Sequence, residues 1–87
     1  MNRFDARRAL MEAAEKDLSP RDFRRFRRAM IFRPIAAQAA LDTVQLNCVQ
    51  AGMVDTEGEV MASVDWSAIL ALIIELLPLI LQLFGLG

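Results

Sequence analysis

The sequence predicts an all-α protein of three to four helices that ends in a long hydrophobic helix. Apolar residues recur at helical spacing along most of the chain, and helix start signals stand at positions 19 and 65. The run from Ala68 to Leu86 is almost entirely apolar, in a chain of 87 residues. Because the rest of so short a chain offers little surface to cover this run, we expect an extended or oligomeric arrangement rather than a self-contained globule.

The first helix is predicted over residues 3–18, with Asn2 as its cap. One narrow apolar stripe follows the helical period and consists of Phe4, Met11, Ala14 and Leu18. So thin a stripe predicts either a helix that needs a partner or an arm that becomes ordered on binding.

The second helix has clear signals at both ends. Ser19 predicts an N-cap, and Pro20 suits the first helical position. We expect this helix to end near Phe32, because Pro34 disfavours a helical conformation at the residue before it.

The third helix is predicted from Ile35 to about Ala51, with Pro34 opening it and Gly52 ending it. It carries two apolar sides, one with Ile35, Ala39, Leu46, Val49 and Met53 and the other with Leu41, Val44 and Cys48. A helix that is apolar on two sides is usually sandwiched between neighbours, which favours a bundle or an oligomer.

The linker predicted at residues 52–64 contains a hairpin-like turn between Val54 and Val60. After it, Asp65 is expected to cap the last helix, which runs from Trp66 to about Phe84.

Charge is divided sharply along the chain. Residues 1–33 carry ten basic and five acidic side chains, a net charge of +5, whereas residues 34–87 carry six acids and no base, a net charge of −6. We therefore predict a basic N-terminal helical region at 1–51, a linker at 52–64 and a hydrophobic C-terminal helix at 65–87. The basic region favours nucleic acid or anionic lipid as a partner, although the two halves of neighbouring copies could also attract each other.

Six arginines and one acid lie between positions 21 and 33. The residues assigned to nucleic-acid binding are Arg21, Arg24, Arg25, Arg27, Arg28 and Arg33. At about 100° per residue, most of them share one broad face, and Phe23, Phe26 and Met30 lie opposite, so the phenylalanines are expected to pack rather than to stack on bases. Guanidinium groups bind phosphate bidentately without reading sequence. A solvated face without a ligand, or one that binds anionic lipid headgroups, is the alternative.

Catalytic chemistry is not expected. The chain has no His, no Tyr and one cysteine, Cys48, so it lacks the commonest general base and the commonest zinc ligand. A cysteine without a histidine partner is more often a small buried residue than a nucleophile, and a single one predicts a reducing compartment. We expect no enzyme activity, no cofactor and no metal, and the first residues show no signal-peptide pattern.

The apolar C-terminal helix is interrupted by small and polar residues at heptad spacing. This stripe, with the tryptophan before it, comprises Trp66, Ala68, Ala71, Glu75, Pro78 and Gln82. The helix would span roughly 28 Å, about the thickness of a hydrocarbon core, with Trp66 as an interfacial anchor. The stripe predicts oligomerisation, or a wet lumen lined by Glu75 and Gln82. Alternatively, it is the one solvent-facing strip of a helix buried in protein.

The last helix begins with Asp65-Trp66 and contains Leu77-Pro78-Leu79. With the apolar residues around them, in 65–72 and 76–84, these residues resemble the C-terminal tail encoded by short open reading frames of small tailless icosahedral bacterial viruses. The resemblance implies a minor structural protein of the virion, internal, pilot-like or membrane-associated, beside the major capsid protein. It implies assembly in the reducing cytoplasm of the host.

Together these features predict a minor structural protein of a bacteriophage particle. The arginines between 21 and 33 would contact the packaged nucleic acid, and residues 66–84 would anchor a homo-oligomer in the capsid, a tube or a membrane. One alternative is a membrane-active pore-forming or lysis protein, with Glu75 and Gln82 lining the oligomer. Another is an oligomeric nucleic-acid-binding module.

Overall fold

Four α-helices form the protein in a computed structural model that describes residues 3–87. They are α1 (Ala6–Asp17), α2 (Pro20–Phe32), α3 (Pro34–Gln50) and α4 (Trp66–Leu83). Within the described residues, extended pairing is limited to two isolated bridges, Arg3 with Glu59 and Val54 with Val60. The predicted all-α class and the long apolar helix at the C-terminal end are confirmed.

The first helix begins later than its apolar stripe predicts. Asp5 is the N-cap, and its carboxylate accepts a hydrogen bond from the backbone N–H of Arg8 at 3.1 Å. Before it, the N–H of Phe4 donates to the carbonyl of Gly58 at 2.7 Å, so this part of the chain pairs with the turn after α3 and is not helical. The predicted start at residue 3 is therefore wrong, and the predicted cap Asn2 lies outside the described residues. The segment is docked in the bundle and not a free arm, because Ala9, Leu10, Ala13 and Ala14 are buried.

The junctions around α2 follow the local signals. The hydroxyl of Ser19 accepts a hydrogen bond from the N–H of Asp22 at 3.2 Å, and Pro20 occupies the first helical position. Arg33 separates α2 from α3, and Pro34 opens α3. Both predicted ends of α2 are confirmed.

The core lies between the four helices, and α4 packs against α1 and α3. The largest fully buried side chains come from every helix and include Leu10, Phe26, Val44, Ile69, Ile73, Leu77 and Ile80, with Phe84 after the last helix. The rings of Phe26 and Phe84 meet edge to face, with centroids 5.5 Å apart. Five buried residues of α4 supply much of this core, and each contributes about 1.5–3 kcal/mol relative to an exposed position.

The chain covers its own hydrophobic helix on one side. The radius of gyration is 12.4 Å, close to the roughly 12 Å that a compact chain of this length has. The expected extended arrangement is therefore wrong. A helix needs cover on its core-facing stripe alone, and α1 and α3 supply that cover for α4.

The two predicted sides of α3 are packed to different extents. The buried residues are Ala37, Ala40, Val44 and Cys48, which recur at helical spacing. On the second side, Ile35 and Leu46 are 86% and 56% exposed. The bundle predicted from the two apolar sides is present, since α3 contacts α1, α2 and α4, and cover of Ile35 and Leu46 by a second copy stays a prediction.

The predicted turn between Val54 and Val60 is present. The backbone N–H of Glu57 and the backbone N–H of Glu59 donate to the same carboxylate oxygen of Asp55, each at 2.9 Å. Gly58 has a φ of 90°, a conformation that favours glycine. The turn also pairs with the N-terminal residues, because the N–H of Phe4 donates to the carbonyl of Gly58. It therefore connects the residues before α1 with the segment that follows α3.

Candidate nucleic-acid interface

The arginine-rich helix α2 docks on the core by its apolar side. Phe26, Ala29 and Met30 are buried and Phe23 is partly buried, as the sequence predicts. The arginines are all exposed: Arg21, Arg24, Arg25, Arg27, Arg28 and Arg33. The helix therefore presents cationic side chains to solvent along its outer face.

Few of these guanidinium groups are neutralised within residues 3–87. Arg25 forms an ion pair with Asp22 at 3.8 Å, and both side chains are more than half exposed, so the pair contributes little. Arg21, Arg24 and Arg28 have no carboxylate within salt-bridge distance among the described residues. Three arginines on one helical face are thus available to an external anion.

Two of the assigned arginines have different surroundings. The guanidinium of Arg27 lies over the ring of Phe23, 5.8 Å from its centroid, and away from the groove described below. Arg33 donates a hydrogen bond to the carbonyl of Phe84 and so ties the α2–α3 corner to the end of α4. This contact gives Arg33 a structural role in addition to its place beside the other arginines.

An open groove of about 600 Å³ runs along the arginine face. Its lining consists of Arg21, Arg24, Arg25, Arg28, Ala29, Phe32, Arg33 and Leu86. Leu86 reaches the groove because Gly85 reverses the chain, with a φ of 72°, and the N–H of Leu86 donates to the carbonyl of Leu81 at 2.9 Å. The site thus combines cationic groups with apolar surface, and it is built from two distant parts of the chain.

Phe32 is the site residue that sequence reasoning missed. Its side chain is 74% exposed, whereas Phe26 is fully buried. The helical period could have predicted its position. Phe32 follows Arg21 by eleven residues, and at about 100° per residue this places Phe32 within about 20° of Arg21 on the helix surface. Phe23 and Phe26 lie opposite the arginines as predicted, and Phe32 was assigned to neither face.

The stripe on α4 faces solvent. Ala71, Glu75, Pro78 and Gln82 are exposed and Ala68 is partly exposed, on the side of the helix opposite the core. Exposure of the stripe agrees with a solvent-facing strip, and its use in an oligomer stays a prediction. The neighbouring Leu79 and Leu83 are also 49% and 41% exposed.

Trp66 stands at the start of α4 and contacts α1. Its indole N–H donates to Glu12 at 2.7 Å, and Arg8 donates to the other oxygen of the same carboxylate at 3.2 Å. The hydrogen bond from Trp66, followed by that from Arg8, lowers the pKa of Glu12 from its ordinary value of 4.5. In this structure Trp66 therefore fastens two helices together, which is a different task from the predicted membrane anchor.

Other candidate chemistry is limited in the described part of the chain. Cys48 is fully buried, and burial raises the pKa of its thiol to about 11, so the thiol is protonated at neutral pH. Among residues 3–87, no three His, Cys, Asp or Glu side chains are grouped to hold a metal ion. α4 has the length and hydropathy of a membrane span, a property that the core helix of a small bundle shares.

The fold and the groove define a small four-helix protein with an arginine-lined surface. Comparison of the chain with protein-family models, with curated proteins and with solved structures found no match in any of the three.

Proposed function

We propose that this protein binds nucleic acid through its phosphates, at the arginine face of α2, without reading base sequence. The observation that carries the proposal is that Arg21, Arg24 and Arg28 share one exposed face and lack carboxylate partners in the described chain. Like charges on one helix repel each other, and an external polyanion relieves that repulsion.

The type of cation supports phosphate as the ligand. Every basic residue between positions 21 and 33 is an arginine, and the planar guanidinium group of arginine donates two parallel hydrogen bonds to one phosphate. Such contacts position a protein on a nucleic-acid backbone and carry no sequence information. A binding role fits the groove better than a catalytic one, because its charged lining consists of arginines and includes no acid, thiol or hydroxyl.

The experiment compares two double variants that each remove two positive charges. Arg24→Ala with Arg28→Ala alters the groove, whereas Arg7→Ala with Lys16→Ala alters exposed positions on α1. Binding of a labelled oligonucleotide is measured over a series of salt concentrations. The groove variant is expected to bind at least tenfold more weakly, with a salt slope shallower by about 1.4 for single strands.

The control variant separates local contact from net charge. If the arginine face is the site, the α1 variant keeps a salt slope within a few tenths of the native value. Equal losses in the two variants would mean that binding follows overall charge, and the proposed site would be withdrawn.

The proposal assigns no anchoring task to α4. Ile69, Ile73 and Leu77 fill the core, and a pore or a membrane anchor built from this helix would have to remove them from it. The virus-particle setting stays a prediction of the resemblance in 65–84, and mass spectrometry of purified particles tests it. Absence of the chain from such particles would remove that setting and leave the arginine site unaffected.

A further inference from the structure

Phe32 stands at one end of the arginine groove with most of its ring in water. It is 74% exposed, and it lines the groove together with Arg28 and Leu86. We infer that the groove takes single-stranded nucleic acid, with phosphates on the arginines and an unpaired base stacked on the ring of Phe32. This inference rests on the proposed function and names its substrate class.

The spacing of the lining residues suits a strand that follows the helix. Arg21, Arg25, Arg28 and Phe32 lie on one side of α2, each three or four residues after the last. From Arg21 to Phe32 the helix rises roughly 16 Å at 1.5 Å per residue. That length accommodates up to about five stacked nucleotides at 3.4 Å each. Phosphates and at least one base can therefore meet their partners in a single binding mode.

The shape of the site favours a single strand over a duplex. The groove is concave, and Ala29, Phe32 and Leu86 put apolar surface between the guanidinium groups. In a duplex the base faces are covered by their neighbours, and the outer surface offers only phosphates and base edges to such a site. An unpaired base can turn its face onto an aromatic ring, and every base has such a face, so stacking adds affinity without sequence preference.

The ring of Phe32 is also available because the fold does not use it. The core of α2 is completed by Phe26, which packs against Phe84, and truncation of an exposed ring leaves that contact in place. Ile35, 86% exposed and outside the groove lining, provides a matched apolar position near the same corner. Substitution of Ile35 therefore distinguishes base stacking on Phe32 from nonspecific apolar contact.

The test measures binding of four variants to a single-stranded oligonucleotide of about 12 nucleotides and to the corresponding duplex. Phe32→Ala and Phe32→Leu are expected to weaken single-strand binding about 5- to 100-fold, the range that loss of one stacked base produces. Phe32→Trp keeps native affinity because it keeps a ring, and Ile35→Ala stays within about twofold of native. The salt slope does not change in any of the four, because no cation is removed.

Any one of the following results would overturn the inference. Native affinity in Phe32→Leu, or duplex binding as tight as single-strand binding, would show that no base is stacked. Equal losses of single-strand affinity in Phe32→Ala and Ile35→Ala would show a general apolar contact, and binding of the native protein to anionic vesicles with none to the oligonucleotide would assign the face to lipid. If the arginine variants lose affinity while the Phe32 variants do not, the proposed function stands and the single-strand inference fails.

Discussion

Glu12 joins the first and last helices through the two oxygens of one carboxylate. One oxygen accepts from the indole of Trp66 and the other from the guanidinium of Arg8, which also lies 6.0 Å from the centre of the Trp66 ring. Both hydrogen bonds favour the charged carboxylate, so the pKa of Glu12 is lowered in the folded state from 4.5. The stabilisation is therefore present above pH 4.5 and is lost as the pH falls through the lowered pKa of the folded state.

The variant Glu12→Gln tests this linkage. It keeps an oxygen for the indole but removes the negative charge, so we expect a lower urea midpoint than native at about pH 7 and a smaller difference at about pH 3, as the native carboxyl becomes protonated. Unfolding is followed by circular dichroism at both pH values. Glu15→Gln, an exposed position on the same helix, is the control and should leave both midpoints unchanged. A difference between native and Glu12→Gln that is equally large at both pH values would contradict the assignment.

Single residues were predictable where their surroundings are local. Cys48 was expected to be small, buried and unreactive, and the structure buries it fully. Phe32 is the last residue of α2, and a phenylalanine is usually buried, so neither its place at the helix end nor its type predicts an exposed ring beside the arginines. The contact between Arg33 and the carbonyl of Phe84 joins residues 51 positions apart, and no local pattern predicts it.

At the scale of the helix, ends fixed by nearby residues were predicted well and ends fixed by distant contacts were not. Ser19, Pro20 and Pro34 act on their own neighbours, so the bounds of α2 follow from the sequence. The start of α1 has a local signal in the Asp5 N-cap, but Phe4 shares the apolar period of the helix, and its hydrogen bond to Gly58, beyond two further helices, places it outside α1. The exposed second side of α3 was also beyond prediction, because helical spacing shows which residues share a face but not which face meets a partner.

Pro78 lies inside α4 on the exposed stripe. It has no N–H to donate to the carbonyl of Ile74, yet the helix continues to Leu83. Because its ring faces solvent, replacing it removes no core contact. The cost of this proline is therefore a property of the helix itself.

Pro78→Ala is expected to stabilise the protein by about 2 kcal/mol. The restored hydrogen bond and the relieved clash outweigh the greater freedom that the unfolded chain gains. Urea denaturation measures the change, with Gln82→Ala, on the same exposed stripe, as the control that leaves the backbone hydrogen bonds intact. A destabilised Pro78→Ala variant would indicate that the ring packs against something, as in a self-associated form.

For the whole molecule, cover on one side by α1 and α3 is enough to hold the long apolar helix α4 in the bundle. The total apolar content of α4 led to the prediction that a chain of 87 residues could not cover this helix. The structure buries one side of α4 against α1 and α3, on which Ala9, Ala13 and Ala40 are themselves fully buried. Which side is buried depends on three-dimensional packing, and composition does not contain that information.

The two sides of α4 are expected to respond differently to truncation. Ile73→Ala removes a fully buried side chain and should destabilise the protein by about 2–5 kcal/mol, whereas Leu79→Ala, at a position 49% exposed, should cost less than about 1 kcal/mol. Both are measured by urea denaturation in buffer without detergent. Similar costs at the two positions, or a native chain that requires detergent to stay folded, would place α4 outside this core.

One wall of the groove is formed by residues 84–86, where Leu86 lines the groove and the carbonyl of Phe84 accepts a hydrogen bond from Arg33. Docking of residues 84–86 and occupation of the groove are therefore thermodynamically linked: a bound strand stabilises the docked segment, and undocking of the segment removes one wall of the groove. At a hundredfold excess of ligand over its dissociation constant, such linkage adds about 2.7 kcal/mol to the folded state. Exchange of the backbone N–H of Leu86 with solvent would thus be slowed by the ligand, which makes hydrogen exchange at this amide a label-free report of occupancy.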